Sequence, residues 1–118
     1  MTIERANPKV TADQLIFLAG QCPLTASGAL AEGGLTGQTD QVVDNVLAAL
    51  ASAGVDPKDV VRTVIYVVSS VRDDLSLVWN RLNASPLAPA FSTASTLIGV
   101  NQLGYPGQLV ELDVTAAL

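Results

Sequence analysis

Two periods of apolar spacing run along this chain, and the changes from one to the other mark its elements. QLIFLAGQ (14–21) is short and almost continuously apolar, which reads as a buried strand. ASGALAEGG (26–34) turns at Ser27-Gly28 and returns as a short, weak segment. From 36 to 54 the period lengthens. In TGQTDQVVDNVLAALASAG, Val42, Val43, Val46, Leu47 and Leu50 recur at three- and four-residue spacing, the stripe of an amphipathic helix. Thr36 or Thr39 is placed to cap its start, Asp40 to favour its positive end and Gly54 to stop it. Asp56-Pro57 opens a turn into VVRTVIYVV (60–68), a β-branched run apolar on both faces that predicts a strand in the middle of a sheet. Ser70 with Asp73 resembles a capping box ahead of a helix at 73–83, where Leu75, Val78, Trp79 and Leu82 keep helical spacing. The Pro-punctuated loop SPLAPAFSTA (85–94) leads to STLIGV (95–100) and QLVELDVTA (108–116), two strands joined by NQLGYPG. The pattern predicts one α+β domain over residues 1–118, a mixed sheet with two helices packed on one face.

Along the last strand, Leu109, Glu111 and Asp113 share one side while Val110, Leu112 and Val114 take the other. Taken alone, the two acids read as a solvated strand face.

Composition narrows the chemistry. Charged residues make up 14% of the 118, well under the roughly 25% usual for soluble domains. Such a chain is expected to leave apolar surface that self-association covers. Eleven acidic against six basic residues, five aromatics and no basic run make a nucleic-acid partner or an anionic membrane surface a poor expectation. There is no histidine, which removes the commonest general base, nucleophile systems and metal ligand. The single cysteine, Cys22, makes neither an internal disulfide nor a multi-cysteine zinc site, and reads as a small buried hydrophobe. Gly20 and Gly99 read as bulge or close-approach positions. No phosphate-cradling glycine spacing exists, so neither a nucleotide cofactor nor a metal is expected. With no signal sequence and no apolar run near the ~20 residues of a membrane span, a cytoplasmic protein is expected.

IERANP, FLAGQCPL, GQTDQVVDNVLAALASAGVDPKDVVRTVIYVV and STLIGVNQLGYPGQLVELDVTA, in this order, resemble the Rid (reactive intermediate deaminase, RidA/YjgF-like) family over nearly the whole chain. The resemblance implies a chorismate-mutase-like α+β fold, a homotrimer and a small-molecule cleft between subunits. It also implies hydrolysis of enamine/imine intermediates of the 2-aminoacrylate type. In the family an arginine on the penultimate strand grips the substrate carboxylate, and a glutamate on the last strand handles water.

Carried over by position, the glutamate matches Glu111 and the arginine position falls at Ser95, although the nearby PAF motif also draws attention to Phe91. The serine preceding Gly20-Gln21 is Ala19, and the asparagine of the second helix falls at Trp79 with Asn80 beside it. Trp79 by its own spacing reads as packing, and Ser95 as strand-start hydrogen bonding. From Leu82 to Leu118 there is no Lys or Arg, so a carboxylate there needs Arg62, Arg72 or Arg81 from another subunit, or neutral donors. Two functions stay open. One is an enamine/imine hydrolase with Glu111 on water and Ser95 orienting substrate, its activity altered or absent. The other is a non-catalytic small-ligand-binding or assembly protein on the same scaffold.

Overall fold

A computed structural model describes residues 14–118; the IERANP segment lies outside the described residues. The elements are β1 (Leu15–Phe17), α1 (Gly34–Ser52), β2 (Val60–Val68), α2 (Arg72–Asn83), β3 (Ala94–Val100) and β4 (Val110–Ala117), with 3-10 turns at Pro57–Asp59 and Ala88–Ser92. The sheet order is β1-β4-β2-β3. β4 runs antiparallel to both β1 and β2, while β3 runs parallel to β2 after the α2 crossover. The β-branched β2 therefore has neighbours on both sides, as its composition predicts. Among the described residues no helix is long and apolar enough to cross a membrane.

Both helices cover the same face, α1 over β4 and α2 over β2 and β3. Val42, Val46 and Leu50 of α1 and Val78 and Leu82 of α2 meet Ile65 and Val67 of β2 and Val110, Leu112 and Val114 of β4, all fully buried. The strand period of two sends the alternate residues to the other face, where Phe17, Leu15 and Ile98 are exposed and Val64, Tyr66 and Val68 half-buried. Phe17 is 75% exposed, a large apolar surface for a strand residue.

Both helix starts differ from expectation. Helix α1 begins two residues early, at Gly34, with Gly33 at φ 99° as its N-cap and no side-chain cap. The Gly33-Gly34 pair makes a left-handed turn that only glycine adopts readily, so the chain enters the helix before either threonine. Thr39 instead donates to the Leu35 carbonyl (2.7 Å) inside the helix. Asp40, beyond the first turn, pairs with Arg81 of α2 through two bonds of 2.6 and 2.7 Å. At the other end Gly54 (φ 77°) follows the last turn and stops it as expected. Helix α2 starts at Arg72 with Val71 at its N-cap and no side-chain cap, so Ser70 does not cap it. Ser69 instead accepts from the Val71 N–H (2.9 Å) and donates to Asp74 (2.7 Å).

The strand at 14–21 is interrupted. Phe17 pairs with Thr115 and Gln21 with Leu112, four steps on one strand against three on the other. One extra residue between Leu18 and Gly20 makes a β-bulge, a device that re-aims side chains beside it.

Candidate functional site

The bulge sits against Glu111. On β4, Glu111 lies on the open face of the sheet, half-buried, in one row with Tyr66 of β2 and Ile98 of β3. Its oxygens are treated unequally. Oε1 accepts from the Cys22 thiol (3.3 Å) and from Gln108 Nε2 (3.2 Å). Oε2 lies over the Cα of Gly20, where a Cβ would come within 2.7 Å of it. Gly20 thus lets Oε2 approach the backbone closely, and Ala19 beside it is exposed, its carbonyl accepting from Gln21 Nε2 (2.7 Å).

The surrounding backbone is pinned from α1. Asn45 Nδ2 donates to the carbonyls of Cys22 and Leu24 (2.9 Å each), and Gln41 donates to Asn45 Oδ1 (3.0 Å). Gln21 rejoins the ladder through both its N–H and its C=O to Leu112. Cys22 is therefore held at the carboxylate. Burial first, then the facing Glu111, pushes its thiol above the ordinary range, so it stays protonated and acts as a donor. Among the described residues the one salt bridge is Arg81–Asp40, so neutral groups hold Glu111. Half-burial with two donors lessens the desolvation that a fully buried, unpaired carboxylate would suffer.

The remaining candidates lie elsewhere. Ser95 pairs with Thr63 across the parallel ladder and so faces the helices, where it accepts from the Thr63 hydroxyl (2.6 Å). The residue of β3 in the row of Glu111 is Ile98, three positions on, and strand parity is the reason. Trp79 and Asn80 are on α2, across the sheet from Glu111. Trp79 packs edge-to-face on Phe91, ring centroids 6.0 Å apart, and Asn80 is exposed. One chain brings Glu111, Gly20 and Ala19 together and leaves Ser95, Trp79 and Asn80 apart from them. Asp113 is exposed two residues along β4.

Two members of the site, Cys22 and Gln108, are not legible as functional in the sequence. They are separated by most of the chain and carry no motif. Gln108 opens onto the loop 101–107, which with Val68 and Leu109 lines an open cleft of about 470 Å³. A neighbouring cleft of about 620 Å³ shares Val68 and Asn101 and is floored by Gly99, where a Cβ would meet the Ser69 carbonyl at 2.9 Å. Gly99 is thus the close-approach position its sequence suggested.

A four-stranded mixed sheet with both helices on one face and, on the open face opposite, a carboxylate beside a bulge defines a small α+β class. The sequence profile of the family described as "Endoribonuclease L-PSP" matches residues 2–118. The chain is also similar to the Rid-family protein YyfB of Yersinia pestis: 35% identical, TM-score 0.83, over 93% of this chain and 83% of that one. With YyfA of the same organism it shares 28% identity at a TM-score of 0.78, over 95% and 89%. It is 34% identical to the RutC family protein PH0854 of Pyrococcus horikoshii over 59 residues, 49% of this chain and 47% of the relative. The chain spans about half the length of the curated relatives it matches. It belongs to the Rid/YjgF family.

Proposed function

We propose that this chain assembles as a homotrimer with small-molecule clefts between subunits, and that Glu111 there handles water in the hydrolysis of a small enamine or imine. The observation that carries this reading is the divided carboxylate, with Oε1 taken up by Cys22 and Gln108 and Oε2 over Gly20. A carboxylate oxygen that accepts no hydrogen bond from the described residues is the kind that takes a proton from water. Water adds to the C=N carbon, the nitrogen leaves as ammonia, and the carbon becomes a carbonyl. An enamine first takes a proton on carbon to reach the imine. Self-association is supported by the open face around Phe17, Leu15 and Ile98 and by the low charge content.

The family profile's description names an endoribonuclease, but an acidic chain without histidine is poorly suited to polynucleotide chemistry. A salt titration with RNA that shows binding at low ionic strength would reopen that possibility. The second reading, a non-catalytic ligand-binding protein, is favoured by Ile98 in the row of Glu111, where no guanidinium grips a substrate carboxylate.

The deciding experiment measures ammonia and keto-acid release from freshly generated 2-aminoacrylate, for the native chain and Glu111→Gln. Acceleration over the spontaneous rate that disappears in Glu111→Gln is the expected result. No acceleration by the native chain would sink hydrolysis of this substrate and favour binding.

A further inference from the structure

We propose that Gln108 is the positioning residue of this site, locking one oxygen of Glu111 so that the other faces the ligand. The inference deepens the reading of Glu111 above and rests on it for its catalytic consequence, though not for its geometry. Gln108 is 3% exposed, and both polar atoms of its side chain are engaged. Nε2 donates to Glu111 Oε1 (3.2 Å) and to the Val110 carbonyl (3.1 Å), and Oε1 accepts from the Tyr105 N–H (3.2 Å). A second buried glutamine, Gln38 of α1, donates to the Gly107 carbonyl (3.0 Å) and accepts from the Leu109 N–H (2.8 Å). The cleft-lining loop is therefore clamped on both sides of Gln108, and its one side-chain route to the carboxylate is the Gln108 amide.

Two chemical properties suit an amide to this task. It is uncharged at every working pH, so it orients Glu111 without titrating. It also offers N–H and C=O on one plane, which lets it hold the loop through one and the carboxylate through the other. With Oε1 occupied, the carboxylate cannot rotate freely about its last bond, and Oε2 stays over Gly20. A ligand that seats in the loop cleft and shifts Tyr105 acts on Glu111 through this amide.

The test reads the contact through Cys22, the single cysteine of the chain, without needing turnover. Among the described residues Glu111 is the one titratable group that acts on this thiol, and it adds to burial in raising the thiol pKa. The rate of Cys22 alkylation by iodoacetamide is followed against pH in four full-length chains: native, Glu111→Gln, Gln108→Met and the double variant. In the native background Glu111→Gln lowers the alkylation midpoint, as the loss of one facing charge does. In the Gln108→Met background the same substitution moves it less than half as far, because Glu111 no longer rests against the thiol. An equal shift in both backgrounds overturns the inference, and no shift in the native background overturns the contact. If Gln108→Met does not fold, Gln108→Ala, also uncharged and without a donor to Glu111, takes its place in the same cycle. In imine hydrolysis, Gln108→Met lowers kcat about tenfold or more with KM little changed, the mark of lost positioning. An inactive native chain that still shows the alkylation coupling would refute hydrolysis while leaving the role of Gln108 standing.

Discussion

Replacing Gly20 by alanine plants a methyl group 2.7 Å from Glu111 Oε2 and 3.2 Å from its Cδ. Ordinary contact begins near 3.4 Å, so the oxygen must withdraw by about 0.7 Å. Gly20 has no positive φ, so alanine fits its backbone, and what yields is the end of a flexible side chain. Pushing that side chain off its rotamer costs about 0.5–1.5 kcal/mol. The reduced freedom of the unfolded chain returns about 0.4–1 kcal/mol. The two nearly cancel, so the melting temperature should stay within about 4 °C of native. Function should not survive so well. A misplacement of about 1 Å at a working group costs on the order of 100-fold, and a shift of 0.7 Å should cost several tens of fold in kcat/KM. The assay pairs a thermal melt with 2-aminoacrylate hydrolysis. Native melting with kcat/KM within twofold of native would show that Oε2 is not the working oxygen. A melting temperature lowered by more than about 10 °C would show that the backbone and not Glu111 takes up the strain.

Phe17→Asp on the open face should leave the single-chain fold intact but lower the assembled mass in analytical ultracentrifugation, because Phe17 contributes little to its own chain's core. Unchanged mass would remove this face from the interface. Leu112→Ala empties a fully buried position between β4 and α1 and should cost about 2–5 kcal/mol, read as a lower urea midpoint at unchanged slope. Asp40→Asn removes a bidentate but exposed pair whose guanidinium holds the Asp40 carboxyl below its usual range. A depressed carboxyl contributes stability above its unfolded pKa of about 3.9 and loses it as pH falls through the lower folded value. The native and Asp40→Asn stability curves should therefore differ slightly at neutral pH and converge in that acid range, and the difference should shrink in high salt.

The sequence by itself determined both helices and the inner faces of β2 and β4. It did not determine β1, read as buried and found exposed, nor a strand at 26–34, where only the Leu24–Leu30 bridge forms. The stripe Val42, Val46, Leu50 and the alternation Val110, Leu112, Val114 are local periodicities, set by the pitch of a helix and the pleat of a strand, and they are buried as written. The order of Rid-like segments carried the family, and the strand alternation set Glu111 opposite Leu112, on the open face of β4. Helix starts were less legible, because the left-handed Gly33-Gly34 turn overrode threonines of good capping propensity. Only the tertiary structure decided the site. The parallel register of β3 on β2 turned Ser95 to Thr63 and put Ile98 in the row of Glu111. A bulge of one residue set Gly20 beneath Oε2, and chain closure brought Cys22 to a carboxylate 89 residues away. Register and closure are pairings between distant segments, and no local period encodes which residues will meet there.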